Sequence, residues 1–122
     1  MTTENTKPQA LDERTFLFAQ NVRMFVAQLP KTVSNQEDSK QVVRSSGSVA
    51  ANYIEANEAL SKKDFTLRMK ICRKESKESR LWLRLLDCGE HDQSGKTRLA
   101  LAQEAKELML IFNAIITKSG SN

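Results

Sequence analysis

Three sets of residues in this sequence have types and spacings that could do chemistry. Glu75 and Glu78 stand one helical turn apart, the arrangement of a carboxylate pair that could divide acid and base work. Such work also needs a positioned nucleophile, a metal or a substrate cradle, and no Ser/His/Asp arrangement, Gly-rich phosphate loop or nucleotide fingerprint accompanies the pair. A carboxylate-bridged di-iron bundle would need inward Glu-x-x-His pairs, and the sole histidine, His91, falls in a polar, loop-like stretch. The second set is Cys72 and Cys88, which share no CxxC or Cys/His spacing and so predict neither zinc nor a disulfide framework. Reduced thiols, no metal, no cofactor and no catalytic residue are the expectation, and the chain reads as a non-enzyme.

The third set is cationic. Lys70, Arg73, Lys77, Arg80 and Arg84 are spaced 3, 4, 3 and 4, with Lys74 alongside, which on a helix makes one basic stripe. Between Lys62 and Arg84 nine Lys and Arg face only Asp64, Glu75 and Glu78, a net of +6. Two readings stay open. In one the stripe is a solvated face whose cations find Glu partners on neighbouring helices. In the other it is a surface for phosphates, where repeated Lys and Arg bind backbone charge without reading bases. Aromatic residues are few, five Phe, one Tyr and one Trp, and most fall on predicted core positions, so base stacking has little support.

The elements that must carry these residues follow from length and punctuation. The chain has 122 residues, 19 Lys plus Arg against 15 Asp plus Glu, and a net charge of +4, which suits one domain with a modest core. No apolar run approaches the roughly 20 residues of a membrane span, and the first residues lack a signal-peptide pattern, so a cytoplasmic location without membrane contact is expected. Pro8, Pro30 and four glycines mark the joints. Helix 1 is predicted from about Asp12 to Leu29, with Phe18, Val22, Phe25 and Leu29 as its buried stripe and Pro30 as its stop. Helix 2 runs from about Gln36 to Leu60, capped by Ser34 or Asn35, with Val42, Val49, Tyr53, Ala56 and Leu60 on its core side. Helix 3 runs from a cap at Asp64 to about Asp87, with Gly89 ending it. After a loop at Glu90 to Gly95, helix 4 runs from about Lys96 to Lys118 through Leu101, Ala105, Leu108, Phe112 and Ile115. The domain therefore spans 12–118, between flexible tails at 1–11 and 119–122, and the fold class is all-α, an antiparallel up-down-up-down four-helix bundle.

Helix 3 should turn Phe65, Met69, Cys72, Ser76, Ser79, Leu83 and Leu86 into the bundle. A second apolar flank of Leu67, Ile71, Trp82 and Leu85 makes its apolar arc wider than a monomeric bundle needs, which points to self-association. Glu75 lies within that arc beside Arg68, and a buried carboxylate needs a cation, here Arg68 or Arg44 of helix 2. On helix 2, small residues surround Gly47, which costs about 1 kcal/mol against Ala in a helix interior unless a close approach compensates. Arg44, Ser48, Asn52 and Glu55 gather away from Val42, Val49 and Tyr53, either as a solvated face or as a subunit contact that sets register.

The string RSSGSVAANYIEANEALSKKDF (Arg44 to Phe65), then RMKICRKESKESRLWLRLL (Arg68 to Leu86) and ELMLIFNAIITK (Glu107 to Lys118), closely resembles the bacterial four-helix bundle proteins named after open reading frames in intervening sequences of 23S ribosomal RNA. The resemblance spans about Phe16 to Lys118 and departs mildly at Ala50, where Gly is familiar. It implies an antiparallel bundle assembled as a ring, a homopentamer, and no established activity. Relatives include the accessory variability protein of diversity-generating retroelements, a basic pentameric barrel that binds reverse transcriptase and nucleic acid. By that resemblance the stripe Lys70, Arg73, Lys74, Lys77, Arg80 and Arg84 would bind RNA or DNA, and Arg44, Ser48, Asn52, Glu55, Arg68, Glu75, Glu78 and Trp82 would hold the oligomer. The rival reading is an adaptor ring that recruits a protein partner without touching nucleic acid.

Overall fold

The computed structural model describes residues 10–120, which form four α-helices and, among the described residues, no strand: α1 (Leu11–Val26), α2 (Val33–Asn57), α3 (Lys62–Leu85) and α4 (Asp92–Lys118). The N-terminal tail at 1–9 and the last two residues lie outside the described residues. Leu11 is already helical and packs on the core, and Ser119 closes α4, its hydroxyl donating to the Ile116 carbonyl at 2.8 Å.

Element ends differ from the sequence reading for local reasons. α1 stops at Val26 rather than Leu29, because the residue before Pro30 disfavours helical geometry. The chain tightens through Gln28 N to Phe25 O and Leu29 N to Val26 O, and Leu29 remains buried. Thr32, not Ser34 or Asn35, caps α2 by accepting from the Asn35 amide at 3.1 Å. Likewise Ser61, not Asp64, caps α3, accepting from the Asp64 amide at 3.0 Å. In both cases a hydroxyl three residues ahead satisfies a free first-turn N–H. α2 ends at Asn57, and Leu60, predicted on the core side, stands fully exposed in the connection.

At the other end of α3, Leu86 turns extended and Gly89 takes a φ of +67°, the left-handed conformation that favours glycine. α4 begins at Asp92, four residues before the predicted start, so Gly95 is helical rather than a loop residue. A first-turn glycine is tolerable there because early N–H groups have no intrahelical partner to lose, and Asp92 suits the positive helix end.

α1 packs on α2, α2 on α3, α3 on α4, and α1 closes onto α4. The core holds the predicted stripes: Phe18, Val22 and Phe25 of α1, Val42 and Val49 of α2, Met69, Cys72 and Leu83 of α3, and Leu101, Ala105, Leu108 and Phe112 of α4. Tyr53 reaches across to Phe112, ring centroids 6.3 Å apart. Between α2 and α3 the interior is small and polar. Ser45, Ser46, Ser76 and Ser79 are fully buried, and the Ser45 and Ser79 hydroxyls share a 2.7 Å hydrogen bond. Gly47 is covered by a side chain instead of a helix backbone: a Cβ there would meet the Arg23 guanidinium of α1 at 3.2 Å.

Candidate nucleic-acid interface

α3 presents two edges of different chemistry. Its α2-facing edge carries Asp64, Arg68, Glu75 and Glu78. Glu75 is 6% exposed, and its Oε2 lies 3.4 Å from Arg44 Nη1, while Arg44 Nη2 lies 3.4 Å from Glu78 Oε1. Of the two cations expected for Glu75, Arg44 is the partner. Arg68 donates instead to Asn52 Oδ1 at 3.1 Å and sits 3.7 Å from Asp64. Asn52 in turn donates to the carbonyl and hydroxyl of Ser48, both at 3.0 Å. Arg44, Ser48 and Asn52 thus face α3 of the same chain, while Glu55 stays exposed.

This seam is incompletely satisfied. Glu75 Oε1, Arg68 Nε and Trp82 Nε1 are buried without a hydrogen-bond partner, and they recur at seven-residue intervals along one ridge of α3. Beside them Leu67 and Leu85 are 53% and 55% exposed, and Ile71 and Trp82 are half-buried, so the second apolar flank is left open by its own bundle.

The opposite edge holds the basic stripe. Lys74, Lys77 and Arg84 are exposed and Lys70, Arg73 and Arg80 half-buried. Among the described residues none of the six pairs with a carboxylate, whereas Arg14, Lys40, Arg44 and Arg68 all do. The Glu partners available on α4, Glu104 and Glu107, are taken by Arg14 of α1 at 2.7 and 2.9 Å. Arg73 is positioned by a neutral group, donating to Asn113 Oδ1 of α4 at 2.7 Å. At the far end Arg98 Nη1 donates to the Arg84 carbonyl at 3.0 Å. Toward the start of α3 a shallow depression is lined by Lys62, Lys63, Thr66, Leu67 and Lys70.

The remaining chemical candidates are structural. Burial pushes the Cys72 thiol up to about 12, so it is no thiolate at neutral pH, and its Sγ donates to the Val49 carbonyl. Cys88 is buried and directed at the Ser94 carbonyl. Among the described residues no three His, Cys, Asp or Glu side chains gather in a group that could hold a metal, and no helix is long and apolar enough to cross a membrane.

One residue that sequence reading assigned only to capping has a larger part. Asn35 is 2% exposed and ties the start of α2 to the end of α3, donating to Pro30 O at 2.9 Å and Asp87 O at 2.8 Å and accepting from Asp87 N at 2.9 Å. Nothing local signals this bridge, since its partner is 52 residues away.

The match to known proteins falls on this scaffold. The family model of the 23S rRNA-intervening sequence proteins matches residues 10–114. The chain belongs to that family. Among solved structures it is similar to a protein of unknown function from the S23 ribosomal protein family of Bacteroides thetaiotaomicron. The two are 28% identical, with a TM-score of 0.72 over 88% of this chain and 98% of the other. No curated protein matches. The stripe, the α2–α3 seam and Asn35 all lie on helices within the matched span of this intervening-sequence protein.

Proposed function

We propose that the chain is a non-enzymatic, homo-oligomeric bundle that works in the cytoplasm and binds RNA or another nucleic acid electrostatically through Lys70, Arg73, Lys74, Lys77, Arg80 and Arg84. The observation that carries this is the lack of carboxylate partners along the stripe while cations elsewhere in the protein are paired. Six cations on one rigid helix repel one another and are relieved by a polyanion, whose bound counterions are released in exchange.

The proposed bundle is antiparallel, up-down-up-down. In support, partners descend along one helix as they ascend along the next: Ser45 with Ser79 and Asn52 with Arg68 between α2 and α3, then Arg73 with Asn113 and Arg84 with Arg98 between α3 and α4. The proposed assembly is a ring, a homopentamer, held through the open flank of α3. Exposed Leu67 and Leu85, with the unpartnered Glu75 and Trp82 atoms beside them, support that contact, since buried polar groups are normally satisfied.

A second reading has its own support. The exposed leucines would equally receive a partner protein, such as the reverse transcriptase of related systems, making the ring an adaptor. Absolute mass by light scattering, with and without total RNA at moderate and high salt, separates the two. A multiple of 13.8 kDa that gains salt-sensitive RNA mass is the expected result. A ring that ignores RNA favours the adaptor, and a monomer overturns the assembly.

A further inference from the structure

We infer that the nucleic acid held by this protein is a duplex, carried on a two-helix face that α4 completes with Lys106. The inference rests on the polyanion reading above and concerns which form of polyanion the surface accepts.

The spacing is the first reason. Lys70, Lys77 and Arg84 repeat every seven residues, about 10.5 Å along a helix axis. That matches three base-pair steps of B-form duplex at about 3.4 Å each. A straight helix can therefore present its cations to every third phosphate step without bending either molecule.

The neighbouring helix widens the row into a face. The ties from Arg73 to Asn113 and from Arg98 to the Arg84 carbonyl hold α4 alongside the stripe. Lys106 lies one heptad before Asn113, on the same ridge of α4 and between those ties, which places it abreast of Lys77 and Arg80. It is exposed and, among the described residues, unpaired. Sequence reading placed no cation of α4 in the site, because only the packing brings this ridge beside the stripe.

The absence of rings from the face is the third reason. Single-strand binders stack successive bases on aromatic side chains. Here the only Trp, Trp82, sits on the opposite, α2-facing flank, Tyr53 packs on Phe112, and Phe18, Phe25 and Phe112 are buried. A surface of cations without stacking platforms suits a molecule whose bases are already paired and whose phosphates face outward.

The test is fluorescence anisotropy of the full chain with a 20-base-pair DNA duplex, the RNA duplex of the same sequence, and one isolated strand, over a salt series. Both duplexes are expected to bind at least tenfold tighter than the strand, and Trp82 emission should be unchanged at saturation. Lys106→Gln should reduce the log–log salt slope on the DNA duplex by about 0.9, the value of one phosphate contact, with the far-ultraviolet circular dichroism intact. Equal or tighter binding of the single strand, or quenching of Trp82, overturns the duplex inference and leaves the polyanion reading standing. An unchanged slope for Lys106→Gln overturns the part given to α4. No binding to any of the three overturns the polyanion reading itself, and the inference with it.

Discussion

On the edge of α3 that faces α2, the carboxylates of Asp64, Glu75 and Glu78 and the guanidinium of Arg68 all have charged partners. On the edge toward α4 and solvent, six cations have none. The two edges belong to one 24-residue helix and draw on the same residue types. What separates them is the neighbour. α2 offers Arg44 and Asn52 at the height of Glu75 and Arg68, while the carboxylates of α4 that might have met the stripe, Glu104 and Glu107, turn to Arg14 of α1. Charge on the first edge is used in holding helices together, and charge on the second remains available to a ligand.

The sharpest way to break this contrast is to remove cations from the second edge. Changing Arg73, Lys77 and Arg84 together to Gln should lower nucleic-acid affinity by about a hundredfold near physiological salt, at about fivefold per lost phosphate contact. The melting temperature should move little, since these side chains make no ion pair. A titration that retains wild-type affinity would sink the stripe model, and a large fall in melting temperature would show that the edge is structural after all.

A somewhat smaller effect is expected at Asn35, where three buried hydrogen bonds converge. Asn35→Ala should cost about 2–3 kcal/mol in denaturant unfolding by leaving the Asp87 amide and carbonyl groups without partners. A cost near zero would mean that water replaces the bridge.

On the first edge, Arg44→Ala should destabilise by about 1 kcal/mol, well below the figure for a fully buried pair, because Arg44 is half exposed and both contacts are 3.4 Å long. Its nucleic-acid affinity should match wild type. A variant that loses affinity and keeps its stability would reverse the assignment of the two edges.

The smallest effect concerns pH. Hydrogen bonds from Gln103 and then Arg14 hold the Glu107 carboxyl below its ordinary value of 4.5. A lowered carboxyl stabilises the fold above its ordinary value and loses that contribution as pH falls through the lowered one. Glu107→Gln should therefore leave the melting temperature at pH 7 nearly unchanged and flatten its decline below about pH 4.5. An unaltered acid limb would count against the Arg14 contact.

Much of this protein was legible in the amino-acid order, and the reason is periodicity. Apolar residues at three-and-four spacing find the inward faces of four helices whatever the exact ends. Phe18, Val22, Val42, Val49, Cys72, Leu83, Leu108 and Phe112 are all buried as the spacing demands. The stripe is legible for the same reason, since a helix places every third or fourth residue on one face. The helix ends were less so. Thr32 and Ser61 compete for the capping role with Ser34, Asn35 and Asp64, and only the backbone course selects among them.

Composition and spacing by themselves determined an all-helical chain with a basic face on its third helix, because both are consequences of local geometry along one helix. Tertiary packing decided which charges are neutralised. Arg44 rather than Arg68 meets Glu75, Arg14 draws off the carboxylates of α4, Asn35 bridges to Asp87, and Lys106 comes abreast of the stripe. Each of these depends on which helix lies alongside which and at what height. Charges on different helices interact over a few ångströms of space, and sequence separation carries no measure of that distance.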